Sequence, residues 1–228
     1  SGWCVKLTIQ LRAVCSRSMN KNFEKNTVEE DTKQSILRAA IIEFGEHGFT
    51  GARVDAIADR AGTNKRMIYY YFKDKEGVYL ASLEASYKKI RDLEMNLELD
   101  CLDPETAMKR LISINFDHHV ANEHYIRLVM SENINRGRTL CKSNQIEKLN
   151  RPALAILGEI YEQGIKKGVF RSGLDPLEIH ASISALTFYN VSNQYTFGLI
   201  FKTPTDSPFY LANRKQHIIE LIWRFLKI

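Results

Sequence analysis

Residues 63 to 77 read TNKRMIYYYFKDKEG. Lys65 and Arg66 precede three consecutive tyrosines, Tyr69, Tyr70 and Tyr71, and Lys73 and Lys75 follow them. These residue types share one chemistry. Guanidinium and ammonium groups neutralise phosphate, a tyrosine hydroxyl donates to a phosphate oxygen, and an arginine fork matches a guanine edge. Whether they act together depends on which of them one helix turns to one side. At about 100° per residue, a helix with Ile68 inward puts Phe72 roughly 40° away and Tyr71 about 60° to the other side. Arg66, Tyr69 and Tyr70 then fall within about 100° of one another on the far side. Lys65 and Met67 flank that patch.

The neighbouring elements are suited to holding such a helix. Leu37, Ala40, Ile41 and Phe44 recur at helical spacing, with Gly48 where a left-handed cap is expected. Val54, Ile57, Ala58 and Ala61 make a second short stripe that stops at Gly62. Thr63 and Asn64 are capping types for a third helix over residues 65–72. Asp74 is placed to cap a fourth, from Lys75 to about Leu97. Residues 53–75 carry Arg53, Arg60, Lys65, Arg66, Lys73 and Lys75 against Asp55, Asp59 and Asp74. Two short helices joined by a glycine turn, the second basic and aromatic, fit a helix-turn-helix whose second helix enters the DNA major groove. A solvated basic face on a small helical hairpin is the other reading of the same pattern.

The rest of the chain reads as a helical bundle, so the fold class is all-α. Helices are expected from Pro104 to about Val120, Tyr125 to Arg136, Asn144 to Lys167, Pro176 to Phe201 and Phe209 to Ile228. The predicted boundary lies at residue 76, with a reader at 31–76 and a bundle at 77–228. Residues 1–30 read as an extension outside the fold. Within it Val5, Leu7, Ile9 and Leu11 alternate with Lys6, Thr8, Gln10 and Arg12, which is no signal-peptide pattern. The net charge of +5 permits nucleic-acid binding without demanding it. Cys4, Cys15, Cys101 and Cys141 form no C-x-x-C pair and read as reduced thiols of a cytoplasmic protein. No apolar run reaches the roughly 18 to 20 residues that span a bilayer, so no membrane partner is expected.

Residues 32 to 79, TKQSILRAAIIEFGEHGFTGARVDAIADRAGTNKRMIYYYFKDKEGVY, resemble the N-terminal DNA-binding domain of the TetR family of bacterial transcriptional regulators. The resemblance rests on Ala39, Ala40, Phe44, Gly48, Ile57, Ala58, Ala61, Gly62, Tyr69, Phe72, Lys75 and Glu76, in order and without a gap. It implies that Tyr69 and Lys75 contact the DNA backbone and that Lys65, Arg66, Met67 and Tyr70 read bases. Thr63 and Asn64 complete that candidate interface. Arg53 departs from the family pattern, standing where a Thr or Ser usually caps the second helix. The loss of that cap costs about 1 kcal/mol, and the guanidinium offers a further DNA contact.

The resemblance also implies a homodimer through the last two helices, a palindromic or nearly palindromic double-stranded operator, and a repressor released by a small-molecule effector. The stripe Ile218, Leu221, Ile222 and Phe225 suits either such an interface or an internal core face. Candidate effector contacts are Asn115, Phe116, His119, Arg127, Met130, Asn133, Phe188, Tyr189 and Asn193. Their aromatics and amides suit a flat or ring-bearing molecule. For each of them ordinary packing is the competing reading. A dimer governed by a protein partner, with no small-molecule ligand, is the alternative.

No enzyme signature is present. The chain has no G-x-S-x-G, H-E-x-x-H, P-loop or dinucleotide fingerprint, so no catalytic residue and no cofactor is expected. His118, His119 and His124 lack a carboxylate or cysteine at ligand spacing, so no metal is expected either.

Overall fold

A computed structural model describes residues 29–97 and 99–228. The expected extension over residues 1–30 lies almost wholly outside the described residues, and residues 29 and 30 are already helical. The described chain contains α1 (29–51), α2 (Val54–Ala61), α3 (Lys65–Phe72), α4 (Lys75–Met95), α5 (Pro104–Ala121) and α6 (Glu123–Ile134). It continues with α7 (Ile146–Lys166), α8 (Pro176–Ser192), α9 (Gln194–Phe201) and α10 (Pro208–Leu226). Among the described residues the only extended pairing is an isolated bridge between Phe170 and Lys227.

Two departures from the sequence reading have local causes. Gly48 adopts the expected left-handed φ of 65°, yet helical bonding resumes beyond it because the Ala52 amide donates to the Gly48 carbonyl. The helix expected over residues 176–201 is two helices, broken at Asn193. Ser192 and Asn193 compete for backbone partners there, and the Asn193 side chain donates to the Ser192 hydroxyl at 2.8 Å.

The chain has two main cores. The first joins Ile36, Ala40 and Phe44 of α1 to Val54, Ile57, Ile68 and Phe72. It does not stop at residue 76: Val78, Tyr79 and Leu83 of α4 and Leu128 of α6 close it. The second joins α5, α7, α8 and α10 through Met108, Ile112, Phe116, Leu157, Phe170 and Ile183. Ile218 and Ile222 belong to this internal core, whereas Leu221 and Phe225 face outward at 52% and 43% exposure. The stripe that the sequence offered as one face is therefore two faces. α4 is the structural link, its first half in the reader's core and its second half in the bundle.

Candidate functional site

The turn that presents α3 is built from backbone chemistry. Gly62 takes a φ of 66°, and the Gly62 and Thr63 amides donate to the Asp59 and Ala58 carbonyls, closing α2. Two residues on, the Asn64 carboxamide oxygen accepts the Met67 amide at 3.1 Å and opens α3. Ile68 and Phe72 are buried by this placement and Tyr71 is half-buried against them. Tyr69 and Tyr70 are 43% and 69% exposed, on the same side as the exposed Arg66 and Lys65. Burial thus divides the aromatic run as the helical projection does. Lys65 pairs with Asp55 at 2.7 Å on the surface, a contact worth little in water and easily exchanged for phosphate.

Arg53 caps α2 without a side-chain bond, but its amide donates to the buried Glu43 carboxylate at 3.0 Å. The carboxylate, set beside the helix N-terminus, supplies part of what the missing hydroxyl would. The Arg53 side chain is left exposed. Lys75 opens α4, with its ammonium bonded to the Thr50 carbonyl at 3.3 Å and lying over the Phe49 ring. Burial pulls its pKa down. Glu43, Glu46 and His47 gather on α1 close enough to hold a metal ion. Glu43 is committed to the Arg53 amide, and Glu46 contacts Arg60 and His124, each at 3.5 Å, so the group works as an ion-pair network.

A second polar constellation lies inside the bundle. Arg91 and Glu94 of α4 form a buried pair at 2.6 Å, and the Asn115 carboxamide donates to Glu94 at 2.9 Å. Burial pushes the Glu94 carboxyl up. Beside them stand Tyr87, His119, Tyr125 and Phe188, with the His119 ring about 6.0 Å from both Tyr125 and Phe188. Burial drops the pKa of His118 and of His119 to about 4, so both rings are neutral near pH 7. Arg91 Nε, His119 Nδ1 and Asn190 Nδ2 are buried yet make no hydrogen bond within the protein. A buried polar group without a partner costs about 1–3 kcal/mol. Asn190 lines a separate cavity of about 120 Å³ with Tyr189, Asn193 and Tyr210.

The family described as "Bacterial regulatory proteins, tetR family" matches residues 36–81, and "Tetracyclin repressor-like, C-terminal domain" matches residues 104–222. The chain belongs to the TetR family. It is 34% identical to the HTH-type transcriptional repressor NicS of Pseudomonas putida, over 72% of this chain and 78% of that protein. It is 26% identical to the fatty acid metabolism regulator protein of Bacillus subtilis, over 82% of this chain and 91% of the relative. In fold it is similar to the fatty acid degradation regulator FadR from Bacillus halodurans, with a TM-score of 0.65 and 22% identity. That likeness covers 84% of this chain and 94% of the other. The protein is a DNA-binding transcriptional regulator and not an enzyme. Among the described residues no helix is long and apolar enough to cross a membrane.

In this TetR-family bundle the nine candidate effector residues do not form one site. Asn115, His119 and Phe188 meet in the buried cluster. Phe116 is packed in the second core. Arg127 instead crosses between the two parts of the molecule, its Nε donating to the Gly45 carbonyl at 2.8 Å. Met130 lines the cleft beside that bond. Asn133 donates to its own helix at Val129, Tyr189 stands half-exposed on the outer face of α8, and Asn193 occupies the α8–α9 break. Sequence reasoning did not single out Arg91, Glu94 or Tyr87 of the buried cluster. Arg91 and Glu94 lie three apart on the same side of α4 as Ile90 and Tyr87, a polar pair on a face that should be apolar.

Proposed function

We propose that this regulator is a dimeric repressor that binds a palindromic operator in the cytoplasm and is released by a small, ring-bearing effector. The outward face of α3 supports the first part. Arg66 and Tyr70 are free to reach base edges, and Tyr69 to reach a phosphate, with Thr63, Asn64, Met67 and Lys75 framing them. Two such helices in a two-fold dimer would stand about 34 to 36 Å apart, one turn of DNA. The stripe Leu177, Ala181, Ala185 and Tyr189 on α8, with Leu221 and Phe225 on α10, offers the exposed apolar face that such a dimer would cover. The name of the Pseudomonas relative supports repression.

The single observation that carries the effector reading is the pair of unpartnered buried groups, Arg91 Nε and His119 Nδ1, beside the Tyr125 and Phe188 rings. A bundle controlled only by a protein partner would gain stability from apolar side chains there. An effector that bonds to Arg91 displaces or reorients the Glu94 pair on α4, and α4 carries Val78, Tyr79 and Leu83 into the reader's core. A tilt of α4 would alter the spacing of the two recognition helices, and operator affinity would fall by linkage. The test is selection of genomic fragments by the purified protein, followed by anisotropy titration of one selected fragment with candidate metabolites. A fragment with two inverted half-sites one turn apart, released by a ring-bearing compound, agrees with the reading. Single asymmetric sites, or an operator affinity that no such compound shifts, contradict it.

A further inference from the structure

Where the reader's first helix lies along the bundle, a cavity of about 260 Å³ opens between α1, α4 and the corner joining α5 to α6. Arg38 of α1 and Lys89 of α4 line it from two sides, with Ser86 and His118 between them. No carboxylate lines the cavity. Glu46 pairs with His124 at 3.5 Å and is not among the lining groups. Arg38 makes no ion pair among the described residues, and Lys89 is satisfied by a neutral partner, the Asn122 carboxamide oxygen at 2.7 Å. Both residues are solvent-exposed, so their mutual repulsion is largely screened, yet an anion seated in the cavity meets two cations and no competing carboxylate.

Two further groups point the same way. Ser86 Oγ and His118 Nε2 are buried, in side chains only 4% and 5% exposed, and neither makes a hydrogen bond within the protein. Ile41, Ile42, Ala85, Ala121 and the Tyr125 ring give the remaining wall an apolar stretch, and Asn122 and His124 complete it. A bare inorganic anion would leave that wall unused, whereas an acid with an apolar body uses both halves.

We propose that this cavity binds a small organic carboxylate, held by Arg38 and Lys89 with Ser86 and His118 as further partners, and that the bound acid clasps the reader to the bundle. The cavity shares the Tyr125 ring with the Arg91–His119 cluster, and His118 stands 6.1 Å ring to ring from His119. The clasp is a second ligand site that adjoins the effector cluster and differs from it in its charged holders, Arg38 and Lys89. Arg38 belongs to the reader and Lys89 to the helix that enters the bundle. The acid therefore favours one orientation of α1 against α4 and acts directly on the joint that linkage between effector and operator must move.

The test is calorimetric titration of the full chain with benzoate and hexanoate, with benzamide and hexanamide as neutral counterparts and inorganic phosphate as a bare anion. The expected result is saturable binding of at least one acid, with its amide and phosphate much weaker. Arg38→Gln and Lys89→Gln should each weaken that acid roughly tenfold, the scale of one charge-assisted hydrogen bond. Arg151→Gln, which removes an exposed cation that does not line the cavity, should leave it unchanged. The proposal is overturned if neither acid binds, if amide or phosphate binds as tightly, or if both charge variants bind like the parent. An equal loss of acid binding in Arg151→Gln would also overturn it, since overall charge would then set the affinity, while leaving the effector cluster standing.

Discussion

The reader and the middle of the bundle solve the same packing problem in opposite ways. Around Phe44 the reader is filled by Ile36, Ala40, Ile57 and Ile68, with Tyr79 edge-on at 4.9 Å. On α4, α5 and α8 the bundle instead buries an ion pair, two neutral histidines and five polar atoms without partners, against the Tyr71 and Tyr79 hydroxyls in the reader. The first region spends its interior on stability, since recognition happens on its outside. The second leaves polar groups unpaired in its interior, which a chain tolerates where a ligand completes them.

The largest expected effect lies in the reader. Phe44→Ala should cost about 3–5 kcal/mol in denaturant unfolding, because the fully buried ring leaves a cavity that its neighbours cannot fill. A loss below 1 kcal/mol would mean the two interiors are not so different. Acid should find the bundle first. The unfolded chain protonates its histidines near 6.5, whereas the folded chain holds His118 and His119 neutral down to about 4. Stability is therefore full above pH 6.5 and is lost as pH falls toward 4, by about 3 kcal/mol for each shift of that size. Glu94, raised by burial, works in the opposite sense and offsets part of the loss. Thermal unfolding between pH 7 and 4 should show a slope that a His118→Leu/His119→Leu variant flattens; an unchanged slope would remove the histidines from the account.

His119→Leu alone should stabilise the chain by about 1 kcal/mol at pH 7, since it removes a buried nitrogen without a partner and keeps an apolar body, while the lost bond to the Thr187 backbone offsets part of the gain. A drop in melting temperature would show that the nitrogen is satisfied after all. The smallest effect belongs to the turn between α3 and α4. Lys73 has φ 70° and ψ −56°, and the Asp74 amide donates to the Phe72 carbonyl across it, a strained γ-turn. Lys73→Gly should raise stability by roughly 0.5–1 kcal/mol, measurable as a small upward shift in melting temperature.

The same contrast explains what could be read from the sequence. The reader was legible because its logic is local: caps at Asn64 and Asp74, the glycine at 62, and a helical projection that sorts Ile68 and Phe72 from Tyr69 and Tyr70 all act within one turn. The bundle's cluster joins Glu94 to Asn115 and His119 to Phe188, residues far apart in the chain, and no periodicity announces which polar residue on an apolar helix meets which. Arg127 marks the limit well. Its type and helix suggested a ligand contact, yet it spans 82 residues of sequence to reach Gly45. Asn193 lies at the helix break and lines a cavity with Tyr189 and Asn190, apart from the Arg91–His119 cluster.

The most direct test of the central claim, that the outward face of α3 reads sequence, is a ratio. Affinity for a selected operator and for scrambled DNA of equal length would be measured at one salt concentration for the parent chain and for Arg66→Ala. The account predicts that the ratio falls by about tenfold or more, equivalent to roughly 1–3 kcal/mol, chiefly through weaker operator binding. If Arg66→Ala weakens both DNAs equally, Arg66 contributes charge alone and the face does not read bases through it.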